Sequence, residues 1–498
     1  MAKKRINFKK LLGKYWLILV FILFFFLRLP SLFEPFTYGD EGIYLTLGQA
    51  WRKGAVFYRD IHDNKPPLLY LLAGIAYNFT NFRLILFVWS LITVFLFSKL
   101  SRILFKKNNL AAFFSTLIFV IISSVRLFEG TIGNAENFMI GTTIAGFYLL
   151  LTKGFVEKKK SWQTNQIWFL AGILFSLSTL FKIPGGFDFA AVLAFSLIIF
   201  IEKGFKKWRL LISRFLSLTA GFFLPLGLTF GYYFSQNALV QYLTAAFSQN
   251  IPYLASWVPD KPQTGGLPLP LASRGLMVLV VFSLLIIIRK RTSLVAKLTL
   301  LWFSFSLFAA LLSSRPYPHY LLQTTPPLAL SFGLILSRSK ERLIPLLLVI
   351  SIAISMITFN YWHYPTLSYY QNFYRFVLRL KAKDEYFAYF GRDAQDLYQA
   401  AGYLKTRTAP QEKIFIWGNQ PSIYPLSERS PIGRYSVAYH IIDFNGYQET
   451  IAALKASPPQ YLIRILSEKR LFPTLEVLID KDYLKVKTIG EIEIYRHL

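Results

Sequence analysis

Apolar runs nearly free of charge alternate with basic segments along most of this chain, and no other feature limits its possible folds so severely. Segments such as 15–29 and 276–288 reach, with their flanks, the roughly 17–25 residues needed to cross a hydrocarbon core of about 30 Å. Peptide groups in that core must bond within their own segment, which a helix achieves. Of the 498 residues, 54% are hydrophobic, 17% aromatic and only 16% charged. A soluble domain carries about a quarter of its residues charged.

The basic residues sit between the runs. They cluster at Lys3-Lys4-Arg5 with Lys9 and Lys10, Arg102/Lys106/Lys107, Lys153 with Lys158 to Lys160, Lys203/Lys206/Lys207/Arg209, Arg289-Lys290-Arg291 and Arg338/Lys340/Arg342. Every second loop is therefore basic, and the positive-inside rule places those loops and the N-terminus in the cytoplasm. The formal charge of +29 is accounted for in this way without a nucleic-acid partner. The first run is long and lacks a small-residue cleavage site, so it reads as an uncleaved signal anchor. Cysteine is absent, which removes disulfides and thiolate metal sites.

With the basic loops inside, about eleven spans fall near 15–33, 84–104, 110–127, 137–152, 166–182, 187–202, 209–235, 271–288, 293–312, 318–336 and 342–359. Residues 66–79 are apolar but short, and counting them as a span would invert everything after them. They read instead as a re-entrant or interfacial helix attached to a large first external loop, 34–82. Within that loop, 41–53 puts Ile43, Leu47 and Ala50 on one helical face, the pattern of an amphipathic helix at the membrane surface. After about residue 360 charges of both signs appear and apolar runs shorten. Strand-like segments (413–417, 460–466, 491–495) alternate there with helical ones (393–405, 447–455, 472–479). The expected architecture is a polytopic α-helical membrane domain, 1–360, followed by a small soluble α/β domain, 361–498. An odd number of spans puts that domain outside the cell's inner (plasma) membrane. There is no internal repeat of the kind that marks inverted-repeat transporters.

This topology sends four polar clusters to the same external surface. In Tyr38-Gly39-Asp40-Glu41-Gly42, two carboxylates at a helix start lie about 100° apart around the axis, so they suit two roles better than one shared proton. One can act as a general base while the other orients it or binds a cation, and both also suit the positive end of a helix dipole. In Tyr58-Arg59-Asp60-Ile61-His62-Asp63-Asn64-Lys65-Pro66-Pro67, the prolines mark a loop-to-helix junction and place Lys65 at the membrane surface, in reach of an anionic headgroup. Asp60, His62 and Asp63 are a metal-ligand candidate by residue type, although their spacing matches no established site.

The third cluster, Gly133-Asn134-Ala135-Glu136-Asn137, lies at the outer mouth of the fourth span. A helix cap by Asn134 and a dipole interaction by Glu136 account for it as well as a functional role does. The fourth is Ser313-Ser314-Arg315-Pro316-Tyr317-Pro318-His319-Tyr320. A helix start carrying serine, arginine and histidine suits phosphate, and Arg315 falls on the side of the membrane where arginine is disfavoured.

Taken together, the clusters resemble the membrane-embedded GT-C glycosyltransferases, in the branch that includes protein O-mannosyltransferases and the aminoarabinose transferases that modify lipid A. Asp40-Glu41 resembles the family's acidic pair in the first external loop. Tyr58-Arg59-Asp60 followed by Asn64-Lys65-Pro66-Pro67-Leu68 resembles its YRD…KPPL segment. Asn134-Ala135-Glu136-Asn137 resembles the acidic motif of its second external loop, and Pro318-His319-Tyr320-Leu321-Leu322-Gln323 a late PHYLLQ span entrance. The resemblance implies transfer of a sugar from a polyprenyl-phosphate carrier to a hydroxyl of a protein, lipid or glycan acceptor, with inversion. It implies Asp40 and Glu41 as the catalytic acids, Asp40 being the base, and Glu41, Glu136, Asn137 and Asp60 as groups that position the acceptor or a divalent cation. Lys65, Arg315 and His319 would hold the donor phosphate, and His319 is placed to protonate it. A transporter, or a non-catalytic assembly factor of the cell envelope, is the competing class.

Overall fold

A computed structural model describes residues 8–106, 108–155, 161–204, 208–251, 270–337, 339–391 and 393–498. Lys3 to Arg5, Lys107, Lys158 to Lys160, Lys206, Lys207 and Arg338 of the basic clusters lie outside the described residues. The chain is a polytopic α-helical membrane protein. Helices α1 (Phe8–Arg28), α4 (Phe79–Phe105), α5 (Asn109–Ser124), α6 (Ala135–Leu149), α7 (Ser161–Phe181), α8 (Gly185–Glu202) and α9 (Trp208–Ser235) occupy the first seven expected spans. Leu271–Ile288, Leu294–Ala310, Thr325–Ser337 and Ile344–Thr358 occupy the last four. Six windows, in α1, α4, α7, α8, α9 and Leu271–Ile288, are long and apolar enough to cross a membrane by length and composition. Asn109–Ser124, Leu294–Ala310 and Ile344–Thr358 are shorter apolar helices. Between α1 and α4 lie α2 (Gly39–Arg52) and α3 (Leu68–Ala76). The nine residues of α3 rise only about 14 Å, too little to cross.

The chain forms two compact units. The first comprises residues 1–29, 86–230 and 251–366 and holds most of the apolar helices. Small residues let their backbones approach: a Cβ on Gly172 of α7 would lie 2.1 Å from the Leu218 carbonyl oxygen of α9, and one on Gly221 would lie 2.0 Å from that of Phe169. Buried polar groups tie the other helices. The Asp188 carboxylate of α8 accepts from the Trp302 indole and the Thr143 hydroxyl, each at 3.1 Å, and Thr143 also meets Ser178 at 2.9 Å. The carboxylate thereby joins α8 to α6 and to the helix of Trp302, Thr143 extends the link to α7, and neutral hydrogen bonds offset the cost of burial.

The second unit comprises residues 30–85, 231–250 and 367–498. Its sheet has the order β2-β1-β3-β5-β4, with β1 (Lys413–Trp417) parallel to β2 (Ser430–Pro431) and β3 (Tyr461–Ile465), and β5 (Ile492–His497) antiparallel to β3 and β4 (Tyr483–Ile489). Alternation sets its two faces. Ile414 and Ile416 pack with Leu397, Leu404 and Ile463 on one side, and Phe415 and Trp417 with Leu462, Leu475 and Ile479 on the other. Strands β1, β3 and β5 match the expected segments closely. Strand β4 was not expected, because Lys485 and Lys487 interrupt its apolar pattern; those lysines blunt a sheet edge.

Helix α2 forms where expected, but residues 41–50 are buried all round rather than on one face. The reason is two close approaches that its glycines permit. A Cβ on Gly48 would lie 2.4 Å from the Gly74 nitrogen of α3, and one on Gly42 would lie 2.7 Å from the Ser422 nitrogen. The helix is a core element of its unit, not an exposed interfacial one.

Candidate active site

The first turn of α2 carries Asp40 and Glu41, and the structure separates them as their angular offset requires. Glu41 is fully buried. Its Oε2 accepts from Arg83 Nη2 at 2.8 Å and Nε at 3.1 Å, and the same guanidinium donates to the Glu34 carbonyl at 2.7 Å and lies 4.9 Å from the Phe36 ring centroid. Arg83 therefore fastens α2 to the chain that enters it. Asp40 is only half-buried, and its Oδ2 accepts from the Tyr44 hydroxyl at 3.0 Å, one helical turn on.

Tyr44 also faces the second cluster. Lys65 Nζ lies 5.0 Å from the centroid of its ring, so one buried tyrosine touches the carboxylate with its hydroxyl and the ammonium with its π face. The loop that delivers Lys65 is tightly built. Tyr58, at φ 71°, donates its hydroxyl to the Lys65 carbonyl at 2.7 Å, while the Lys65 N–H donates to the Tyr70 hydroxyl at 2.9 Å. Asp60 turns away: it pairs with Arg59 at 2.8 Å and accepts the Val56 N–H at 2.8 Å. The Arg59 hydrogen bond, against a smaller opposing effect of burial, holds Asp60 below the usual carboxylate range.

His62 and Asp63 are buried beside His440, from the short helix Ala438–Asp443. His440 Nε2 is 3.5 Å from Asp63 Oδ1, and Lys65 Nζ is 3.7 Å from Asp63 Oδ2. Burial pushes Asp63 up, but Lys65, His440 and the Asn64 N–H outweigh it and leave the carboxyl below its ordinary value. Burial lowers His440 to about 4, with Lys65 also lowering it and Asp63 and Asp40 opposing; burial and His440 lower His62 to about 3. Both imidazoles are therefore neutral at physiological pH. The folded state binds fewer protons than the unfolded one between about 4 and 6.5, so stability must fall as pH drops through that window. The melting temperature of the purified protein is expected to decline from about pH 6.5 to about pH 4, and less so in His440→Gln. A flat profile would remove this account. Among the described residues no three His, Asp or Glu side chains converge as a metal site.

The third and fourth clusters come together on the first unit. Glu136, in the first turn of α6, forms a buried ion pair with Lys182 just beyond α7, whose ammonium lies 3.8 Å from the Tyr320 ring centroid. His319 pairs through Nδ1 with Glu129 at 2.5 Å, which sets the proton on Nδ1 when Glu129 is ionised. Asn137 donates to the Ile132 carbonyl at 2.8 Å and so fixes the loop before α6. Arg315 is half-buried in the segment that leads to His319, and Arg274 donates to the neighbouring Ser314 hydroxyl at 3.3 Å.

Two solved structures share this arrangement of elements. The crystal structure of ArnT from Cupriavidus metallidurans bound to undecaprenyl phosphate matches with a TM-score of 0.58 over 97% of this chain and 97% of that one, at 13% identity. The apo structure of the same protein gives 0.57 over 97% and 98%, at 12% identity. This is the ArnT fold. The match covers nearly the whole chain, and it bears out the expected architecture of a polytopic helical membrane protein with a small sheet towards the C-terminus. No family model matches the sequence, and no curated protein does.

Within this ArnT-like frame, sequence reasoning missed Arg83, Tyr44, Glu129, Lys182 and His440. Lys182 did leave a signal. It sits at the end of a span on the side where the alternation of charge forbids a basic residue, as Arg315 does.

Proposed function

We propose that this protein transfers a sugar from a polyprenyl-phosphate carrier to an acceptor hydroxyl at the extracytoplasmic face of the membrane, with inversion and with Asp40 as general base. One observation carries this reading. Asp40 is half-exposed and oriented by Tyr44, its neighbour Glu41 is consumed by Arg83, and Lys65 lies against the same tyrosine ring. A carboxylate and an ammonium are thus held on one rigid support. In an inverting displacement the carboxylate takes the acceptor proton as the hydroxyl oxygen attacks the anomeric carbon, and the bond to the carrier phosphate breaks with its electron pair leaving on phosphate. Lys65 is assigned to that phosphate, where a fixed cation stabilises the charge as it develops.

Glu41 is assigned to holding the Asp40 turn through Arg83, not to contact with substrate. Arg315 and His319 are assigned to phosphate binding on the sequence resemblance, and Lys182, over the Tyr320 ring next to His319, is a further cation of that cluster. Glu136, paired with Lys182, holds that ammonium in place, and Asn137 shapes the loop before α6. Undecaprenyl phosphate bound to the ArnT of the same fold supports a polyprenyl-phosphate carrier here.

The test is incorporation of radiolabelled sugar from polyprenyl-phosphate donors into acid-stable product, in membranes with and without this protein. Label that appears only with the protein is the expected result. Equal incorporation in both membranes across pentosyl and hexosyl donors would overturn the reading.

A further inference from the structure

The buried pair of Asp63 and His440 stands next to Lys65 and takes no part in the displacement. Asp63 is 1% exposed and His440 2%. The Asn64 N–H donates to Asp63 Oδ1 at 2.8 Å, Oδ2 faces the Lys65 ammonium at 3.7 Å, and the Tyr70 hydroxyl also lies beside the carboxylate. His440 approaches Oδ1 from the other side with Nε2 at 3.5 Å. The His62 ring packs edge-on against His440, centroids 5.4 Å apart, and the His62 N–H donates to the Arg434 carbonyl at 2.8 Å. The 58–67 loop is thus joined to the 434–440 segment by main chain and side chain alike.

Burial of a carboxylate costs several kcal/mol unless it is paired. Asp60 meets its needs entirely within its own loop, through Arg59 and the Val56 N–H. Asp63 divides its oxygens instead between a lysine two residues on and an imidazole from the far end of the sequence. Lys65 has a flexible four-carbon stem, and without restraint its ammonium would sample many positions. The Tyr44 ring restrains it on one side and Asp63 on the other.

We propose that His440 is a positioning residue for the donor: by holding Asp63 it fixes the ammonium of Lys65, so that the C-terminal α/β segment contributes to recognition of the donor's phosphate. This inference rests on the assignment of Lys65 to that phosphate. It gives the C-terminal segment a part in substrate binding through one imidazole that never touches substrate.

The experiment uses the full-length purified protein and measures Kd for undecaprenyl phosphate, with KM and kcat where turnover is available, for Lys65→Met, His440→Phe, His440→Gln and Asp63→Asn. Loss of a hydrogen bond to a charged group corresponds to about a ten- to hundredfold change. Lys65→Met and His440→Phe are expected to raise Kd by about that factor, and His440→Gln, which retains an N–H near the Nε2 position, by about threefold or less. In turnover Lys65→Met loses kcat as well as donor affinity, His440→Phe shifts both in the same direction, and His440→Gln returns both towards wild type, a rescue that general loss of structure does not give. Asp63→Asn keeps the shape and removes the charge that draws Lys65, and it carries the same test if His440→Phe fails to fold. If Lys65→Met binds the lipid as well as wild type, the phosphate assignment itself falls. If Lys65→Met weakens binding while folded His440→Phe and Asp63→Asn bind as wild type, the assignment stands and the positioning role of His440 is overturned.

Discussion

Asp40→Asn is expected to lower sugar transfer by about 10²–10⁴-fold, the range general-base catalysis spans, while the protein keeps its melting temperature and its affinity for polyprenyl phosphate. The substitution is nearly isosteric, and an amide can still accept from the Tyr44 hydroxyl that holds Asp40 at 3.0 Å. What it loses is the capacity to take a proton. The carboxylate is half-exposed and meets no cation in its immediate hydrogen bonding, so structure does not depend on its charge. Transfer rates measured with equal amounts of folded wild type and Asp40→Asn decide the matter. Equal rates would move the base to another residue.

The neighbouring residue should behave in the opposite way. Arg83→Met is expected to destabilise the protein by about 3–5 kcal/mol, since it leaves Glu41 buried without a counter-ion. Glu41 is 0% exposed, so its carboxylate is not solvated where it stands. The carbonyls of Ser31, Glu34 and Pro35 would lose the same donor, so the turn that precedes Asp40 loosens together with the ion pair. Glu41→Gln combined with Arg83→Met removes both charges and is expected to recover part of the loss, which thermal unfolding of the singles and the double can measure as a coupling energy. A single variant that melts with wild type would show the pair to be dispensable.

These two carboxylates mark the line between what was legible in the sequence and what was not. The membrane helices were legible because each depends on its own run of apolar residues and on the charge of its flanking loops, both local properties. The pattern of Asp40-Glu41 and of 58–67 was legible as a cluster. The division of labour within it was not, because Arg83 reaches Glu41 across 42 residues and nothing near either position announces the other. His440 was hidden for the same reason, lying on a six-residue helix, Ala438–Asp443, in a stretch where neither helix nor strand was expected. Tyr44 carried no signal of its own in a segment expected to be a surface helix. Only the burial of α2 on all sides turned it into the support for Asp40 and Lys65.

The second compact unit is assembled from residues 30–85, 231–250 and 367–498, and this has a consequence for how the protein is made. About 280 residues separate the first of these stretches from the last, and at roughly 5–20 residues per second the ribosome needs on the order of a quarter to a full minute to produce them. Throughout that interval α2, with its buried glycines and its charged first turn, has none of the β1–β5 sheet to fold against. Nascent chains interrupted before residue 367 would carry Asp40 and Lys65 on an unfinished surface, a natural target for chaperones and proteases. The second unit is therefore completed only at the end of translation, when residues 367–498 join 30–85.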